Sequence, residues 1–221
     1  MVLSSIFAKG GMQNGGAADF VSLIAKNRSF LLKIFSNLFV QLGISYYVME
    51  NTPLIESFWP TFIGLFVLLL LIIGTNLPYW VKLLIFCVFS YLIGRLKTRS
   101  KNKYDDEAIH NAILGAMGVF AIMFVVGALL PVLGDKVGLV LFIALLSLLI
   151  ARIFTMFSGK TEKYKKWLST FGVGIFGLYV AYDTNNILKR ADYYQGDFVT
   201  ASMDYYLDII NLFSNMLRSN N

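Results

Sequence analysis

Seven apolar stretches, at approximately 30–48, 58–74, 78–95, 109–130, 137–157, 167–188 and 199–218, fill almost the whole chain and leave only short polar connections between them. Crossing roughly 30 Å of hydrocarbon takes about 20 helical residues. Only 14% of the 221 residues are charged and 57% are hydrophobic. A soluble domain carries about 25% charged residues, so the solvent for this chain is lipid. The expected architecture is an all-α membrane protein with seven transmembrane helices. Residues 1–29 read as a flexible polar N-terminal arm, 30–218 as a seven-helix membrane domain and 219–221 as a short tail. The arm has no signal-peptide pattern, and Gly10-Gly11 and Gly15-Gly16 suit a flexible segment.

A net charge of +6 raises the question of nucleic acid. The basic residues lie in loops and beside apolar stretches, where they flank membrane and set topology, so no nucleic-acid partner is expected. Eight Lys and Arg residues fall on the N-terminal side and ten on the other, which leaves orientation undecided by charge. Cys87 is the only cysteine, which forbids an intrachain disulfide, and it reads as a small packed hydrophobe. His110 is the only histidine and reads as an interfacial residue. One His and one Cys far apart give no support to zinc sites or Cys/His catalysis.

The last two stretches contain what lipid disfavours. Asp183 and Asp208 each cost roughly 2.5–3.5 kcal/mol at a bilayer centre. Asp204, Asp208, Asn211 and Asn215 recur at helical spacing and form one polar stripe. A helix with such a stripe belongs inside the bundle, lining a cavity or pairing with neighbours. If the sixth and seventh helices run antiparallel, Asp183 and Asp208 reach comparable depth. Two carboxylates meeting in a poorly solvated place share a proton or a cation. Carboxylate oxygens are hard ligands suited to Ca²⁺, so Asp183 and Asp208 are the candidate ion ligands. The bland alternative is that these aspartates cap helices or pair with Lys189 and Arg190.

Two segments carry a family resemblance. Phe176-Gly177-Leu178-Tyr179-Val180-Ala181-Tyr182-Asp183-Thr184 resembles the end of the sixth helix of Bax inhibitor (transmembrane Bax inhibitor motif) proteins. Asp204-Tyr205-Tyr206-Leu207-Asp208-Ile209-Ile210-Asn211-Leu212-Phe213 resembles their last helix. Phe30-Leu31-Leu32-Lys33-Ile34-Phe35 and Gln41-Leu42 are similar to their first. The resemblance implies three antiparallel helix pairs around a central seventh helix. It implies a pH-sensitive calcium leak gated by the pair Asp183 and Asp208, with Asp204, Asn211 and Asn215 as the supporting stripe, and a role in suppressing cell death. It implies no tightly bound cofactor, Ca²⁺ as the permeant or regulatory ion, and the bilayer, calcium, protons and membrane proteins as partners. The N-terminus would be cytosolic. The compartment would be ER or Golgi in a eukaryotic or viral setting and the inner membrane in a bacterial one. Two departures stand out. The second stretch, 58–74, has no basic residue to latch the sixth-helix aspartate, and Asn185 stands where a glutamine is common.

Other classes fit less well. A non-conducting interaction protein that restrains cell death would leave the aspartates structural. An intramembrane aspartyl protease also uses two membrane aspartates, but Tyr206-Leu207-Asp208 has no glycine to open the helix, and no enzyme activity is expected. A retinal receptor would need a lysine between 199 and 218, and there is none.

Overall fold

The computed structural model describes residues 17–54, 58–158, 161–190 and 192–220. The described residues form eight helices. A short one, α1 (Ala17–Lys26), precedes α2 (Arg28–Asn51), α3 (Phe58–Gly74), α4 (Tyr79–Lys103), α5 (Asp106–Leu129), α6 (Asp135–Ser158), α7 (Glu162–Lys189) and α8 (Phe198–Asn220). The second half of the segment read from sequence as a flexible arm is therefore helical. Residues 1–16, Glu56 and Lys160 lie outside the described residues.

Helix ends follow local chemistry. Asp105 caps α5, accepting from Ala108 N at 2.7 Å, and Asp106 and Glu107 place negative charge at the positive end of the helix. The same helix stops at Leu130, because Pro131 has no N–H to continue it. Asp197 caps α8, its Oδ1 accepting from Val199 N at 3.1 Å and Thr200 N at 3.0 Å. Gly196, with φ +81°, makes the left-handed turn that delivers the chain to that cap.

Among the described residues, four helices are long and apolar enough to cross a membrane: α2, α4, α5 and α6 up to Thr155. Apolar α3 is shorter, at 17 residues. The last two helices are long but too polar for that measure, and their surroundings explain why. α8 packs against α7, α5, α2 and α4. No large apolar side chain of α8 is exposed, and Tyr205, Tyr206, Met203 and Leu212 are fully buried. A helix surrounded by protein need not be hydrophobic all round. The outer helices show the reverse. Phe62, Ile63, Phe66 and Leu70 of α3, and Leu139, Val140, Phe142 and Ile143 of α6, are each more than half exposed. A water-soluble surface does not present such continuous apolar faces. The chain is a multi-pass membrane protein.

Two ends of the bundle can be told apart by side-chain ties. At one, Arg190 after α7 meets Asp135 at the start of α6, and Lys82 in the first turn of α4 meets Asp197 before α8. At the other, Lys101 near the end of α4 pairs with Glu50 near the end of α2.

Candidate functional site

α7 and α8 lie side by side, and a hydrogen bond between the hydroxyls of Thr184 and Tyr205, 2.8 Å long, sets their register. Tyr205 is held in turn by the rings of Phe120, at 5.0 Å, and Phe35, at 6.1 Å. That register carries Asp183 of α7 to Asp208 of α8. Both carboxyl groups line one cavity. Both are buried, at 8% and 5% exposure, so neither is a surface group with water to fall back on. Asp208 Oδ2 has no protein hydrogen-bond partner.

The pair faces a cavity of 510 Å³ between α6, α7 and α8. Asp204, Asp208 and Asn211 line it from α8, Tyr179, Tyr182 and Asp183 from α7, and Asp135 and Gly138 from α6. Asp204 accepts from Tyr194 Oη at 2.8 Å, a bond from the loop between α7 and α8. Asn211 Nδ2 donates to Leu207 O of its own helix at 2.8 Å. Among the described residues no group of three His, Cys, Asp or Glu side chains is arranged to hold a metal ion.

The alternative in which Lys189 and Arg190 neutralise the aspartates is not what the side chains do. Lys189 Nζ donates to Leu130 O, at the end of α5, and Arg190 pairs with Asp135 at 2.8 Å. The polar stripe is also divided. Asp204, Asp208 and Asn211 share the cavity, but Asn215 accepts from the guanidinium of Arg152 farther along. His110 is exposed at the start of α5, and Cys87 accepts from Gln41 Nε2 at 3.5 Å.

Sequence reasoning did not place the cavity's tyrosines. Tyr179, Tyr182 and Asp183 stand at i, i+3 and i+4, one face of a helix, which is the signal that could have found two of them. The third, Tyr193, lies in the loop before α8, beside the Tyr194 that bonds Asp204, and no periodicity marks it.

A family model described as "Inhibitor of apoptosis-promoting Bax1" matches residues 27–219. The chain belongs to the Bax inhibitor family. Protein LIFEGUARD 1 of Arabidopsis thaliana is 25% identical over 234 aligned positions, covering 95% of this chain and 97% of that protein. A Golgi anti-apoptotic protein of Vaccinia virus is 36% identical over 84 residues, 38% of this chain. Bax inhibitor 1 of Schizosaccharomyces pombe is 33% identical over 84 residues, again 38% of this chain. The chain spans about a third of the length of these last two relatives, 34% and 31%. In this Bax inhibitor family member the two segments that carry the resemblance, 176–184 and 204–213, form the facing walls of the cavity.

Proposed function

We propose that this protein is a pH-sensitive calcium leak of the Bax inhibitor type, in which Asp183 and Asp208 form the gate. The observation that carries the reading is that these two buried carboxyls stand on the wall of one cavity. With a proton between them the pair is bound to itself. Removing that proton leaves two hard anionic groups, and a divalent cation is the natural way to offset both. Calcium here is cargo, met by Asp183 and Asp208. A site with few ligands suits an ion that must also leave. In the full reading α2 to α8 all cross the bilayer, and the central position of α8 puts the gate inside the bundle.

The relatives' names support a role in restraining cell death, and the viral relative's name favours an endomembrane such as the Golgi. A calcium leak from an internal store would be the physical route to that role. The runner-up is a non-conducting protein that binds membrane partners.

The experiment is calcium flux into proteoliposomes of the purified protein, measured between about pH 6 and 8. Flux is expected to depend on pH, and Asp183→Asn and Asp208→Asn are each expected to change that dependence. If both variants keep wild-type flux and the same pH profile, the gate reading fails and the non-conducting one gains.

A further inference from the structure

Three cations gather at the end of the bundle away from the cavity, and among the described residues no carboxylate pairs with them. Lys97 of α4 donates from Nζ to Ser214 Oγ, and Arg152 of α6 donates to Asn215 Oδ1. Arg218 stands in the last turn of α8. On a helix, position 218 stacks on 214 as i+4 and neighbours 215 as i+3. Ser214 and Asn215 are adjacent on α8, so Lys97 and Arg152 both reach the turn that Arg218 follows. Among the described residues none of the three is in an ion pair. Two other basic residues at this end have acidic partners: Lys101 pairs with Glu50 and Lys165 with Glu162.

The groups that do meet them are neutral and already committed. Ser214 donates to Ile210 O at 2.5 Å, and Asn215 Nδ2 donates to Asn211 O at 2.7 Å. Asn215 is also fixed by packing, because its side chain fills the space where a Cβ at Gly172 would stand. Helix C-termini offer only part of the compensation. The partial charge at a helix end is about half an electron and fades beyond the last turn. Lys97 lies six residues before Lys103, the end of α4, and Arg152 six before Ser158, the end of α6. Three basic side chains, two of them half-buried, call for an anion. A guanidinium with one nitrogen engaged still presents a fork of donors matched to phosphate.

We propose that Lys97, Arg152 and Arg218 form a binding site for a phosphate group, either the headgroup of an anionic glycerophospholipid or a free phosphate ion. The lipid is the better fit to its setting. Leu149, Ile150 and Ile153, beside Arg152 in sequence, are 52%, 59% and 47% exposed and would flank its acyl chains.

The test titrates the full-length protein in detergent micelles with short-chain phosphatidylglycerol, short-chain phosphatidylcholine and inorganic phosphate, reading Tm and tryptophan fluorescence. Saturable binding of phosphatidylglycerol is expected, with none of phosphatidylcholine. Each of Lys97→Gln and Arg218→Gln should weaken it roughly fivefold. Arg218 is exposed, so its variant keeps the fold even if Arg152→Gln does not. Lys163→Gln with Lys166→Gln, which removes two charges nearby, should leave binding unchanged. Saturation by inorganic phosphate with the same sensitivity to Arg218→Gln would assign the site to the free ion. Binding that ignores Lys97→Gln and Arg218→Gln, or that falls equally in the Lys163/Lys166 control, overturns the site.

Discussion

Lys82 Nζ lies 2.6 Å from Asp197 Oδ2, and the two side chains are only 7% and 19% exposed. The pair joins the first turn of α4 to the cap of α8, so one carboxylate both neutralises a buried cation and starts the central helix. Burial alone would raise the Asp197 carboxyl, but hydrogen bonds from Lys82 and from Thr200 outweigh it and hold the group below its usual range. A carboxylate lowered in the folded state stabilises above its unfolded value, about pH 4, and that contribution fades as pH falls through the lower folded value. Lys82→Met is expected to cost about 1–3 kcal/mol, less than a fully buried pair because Asp197 keeps some solvent. Asp197→Asn should remove the part of the acid-induced stability loss that begins below about pH 4. Thermal unfolding across pH 3 to 7, a range of about four units chosen to bracket that value, checks both.

Tyr194 and Asp204 offer a test of whether the loop before α8 speaks to the cavity. Their hydrogen bond is the only one recorded for either side chain among the described residues. Tyr194→Phe is expected to cost about 1 kcal/mol in stability, as for a single lost hydrogen bond. It should also displace the pH profile of calcium flux. If that displacement acts through Asp204, Tyr194→Phe will add nothing further in an Asp204→Asn background. Additive shifts would mean that the tyrosine acts elsewhere.

The sequence made the helices legible because lipid imposes one rule on every span, and 58–74 coincides with α3. Where ends differ, the helix runs past the apolar stretch: α4 continues from 95 to Lys103 and α7 starts at Glu162 rather than 167. Hydrophobicity marks the hydrocarbon, whereas backbone hydrogen bonding carries the helix into the headgroups. The stripe on α8 was legible as a stripe but not as two sites. Eleven residues of helix separate Asp204 from Asn215, about 16 Å, so one face passes from the cavity to Arg152. Ties across long stretches of chain, such as Lys97 to Ser214 or Ser45 to Tyr206 at 2.5 Å, leave no periodic trace.

Asn185 explains one departure that the sequence only flagged. Its Nδ2 donates to Gly127 O at 2.9 Å, Pro131 O at 3.1 Å and Leu130 O at 3.2 Å. Its Oδ1 accepts from Leu133 N at 2.7 Å. The amide thus closes the C-terminal end of α5, whose last carbonyls have no helical partner. Asn185→Leu keeps the branched shape but orphans those groups, and should cost about 2–4 kcal/mol. Asn185→Gln restores the amide but must fit an extra methylene at a fully buried position, and should cost about 1–3 kcal/mol. Equal stability of the Gln variant and wild type would show that the end of α5 can shift to receive the longer arm.

Gly127 and Gly174 should respond to alanine with opposite signs. Replacing a helical glycine by alanine gains about 1 kcal/mol from propensity alone. At Gly174 a Cβ meets nothing within 4 Å, so Gly174→Ala is expected to be neutral to stabilising by up to that amount. At Gly127 the new Cβ would strike the backbone of Ala181 on α7, with Cα and C each 2.8 Å away and the carbonyl oxygen nearer still. Backbone cannot swing aside as a side chain does, so α5 and α7 must part, at about 1–3 kcal/mol. Parting them also stretches the bond from Asn185 to Gly127 O, which makes a net loss the expected result. Unfolding midpoints of the two variants, measured side by side in one detergent, decide it: a Gly127→Ala protein as stable as Gly174→Ala would mean that the two helices do not approach this closely.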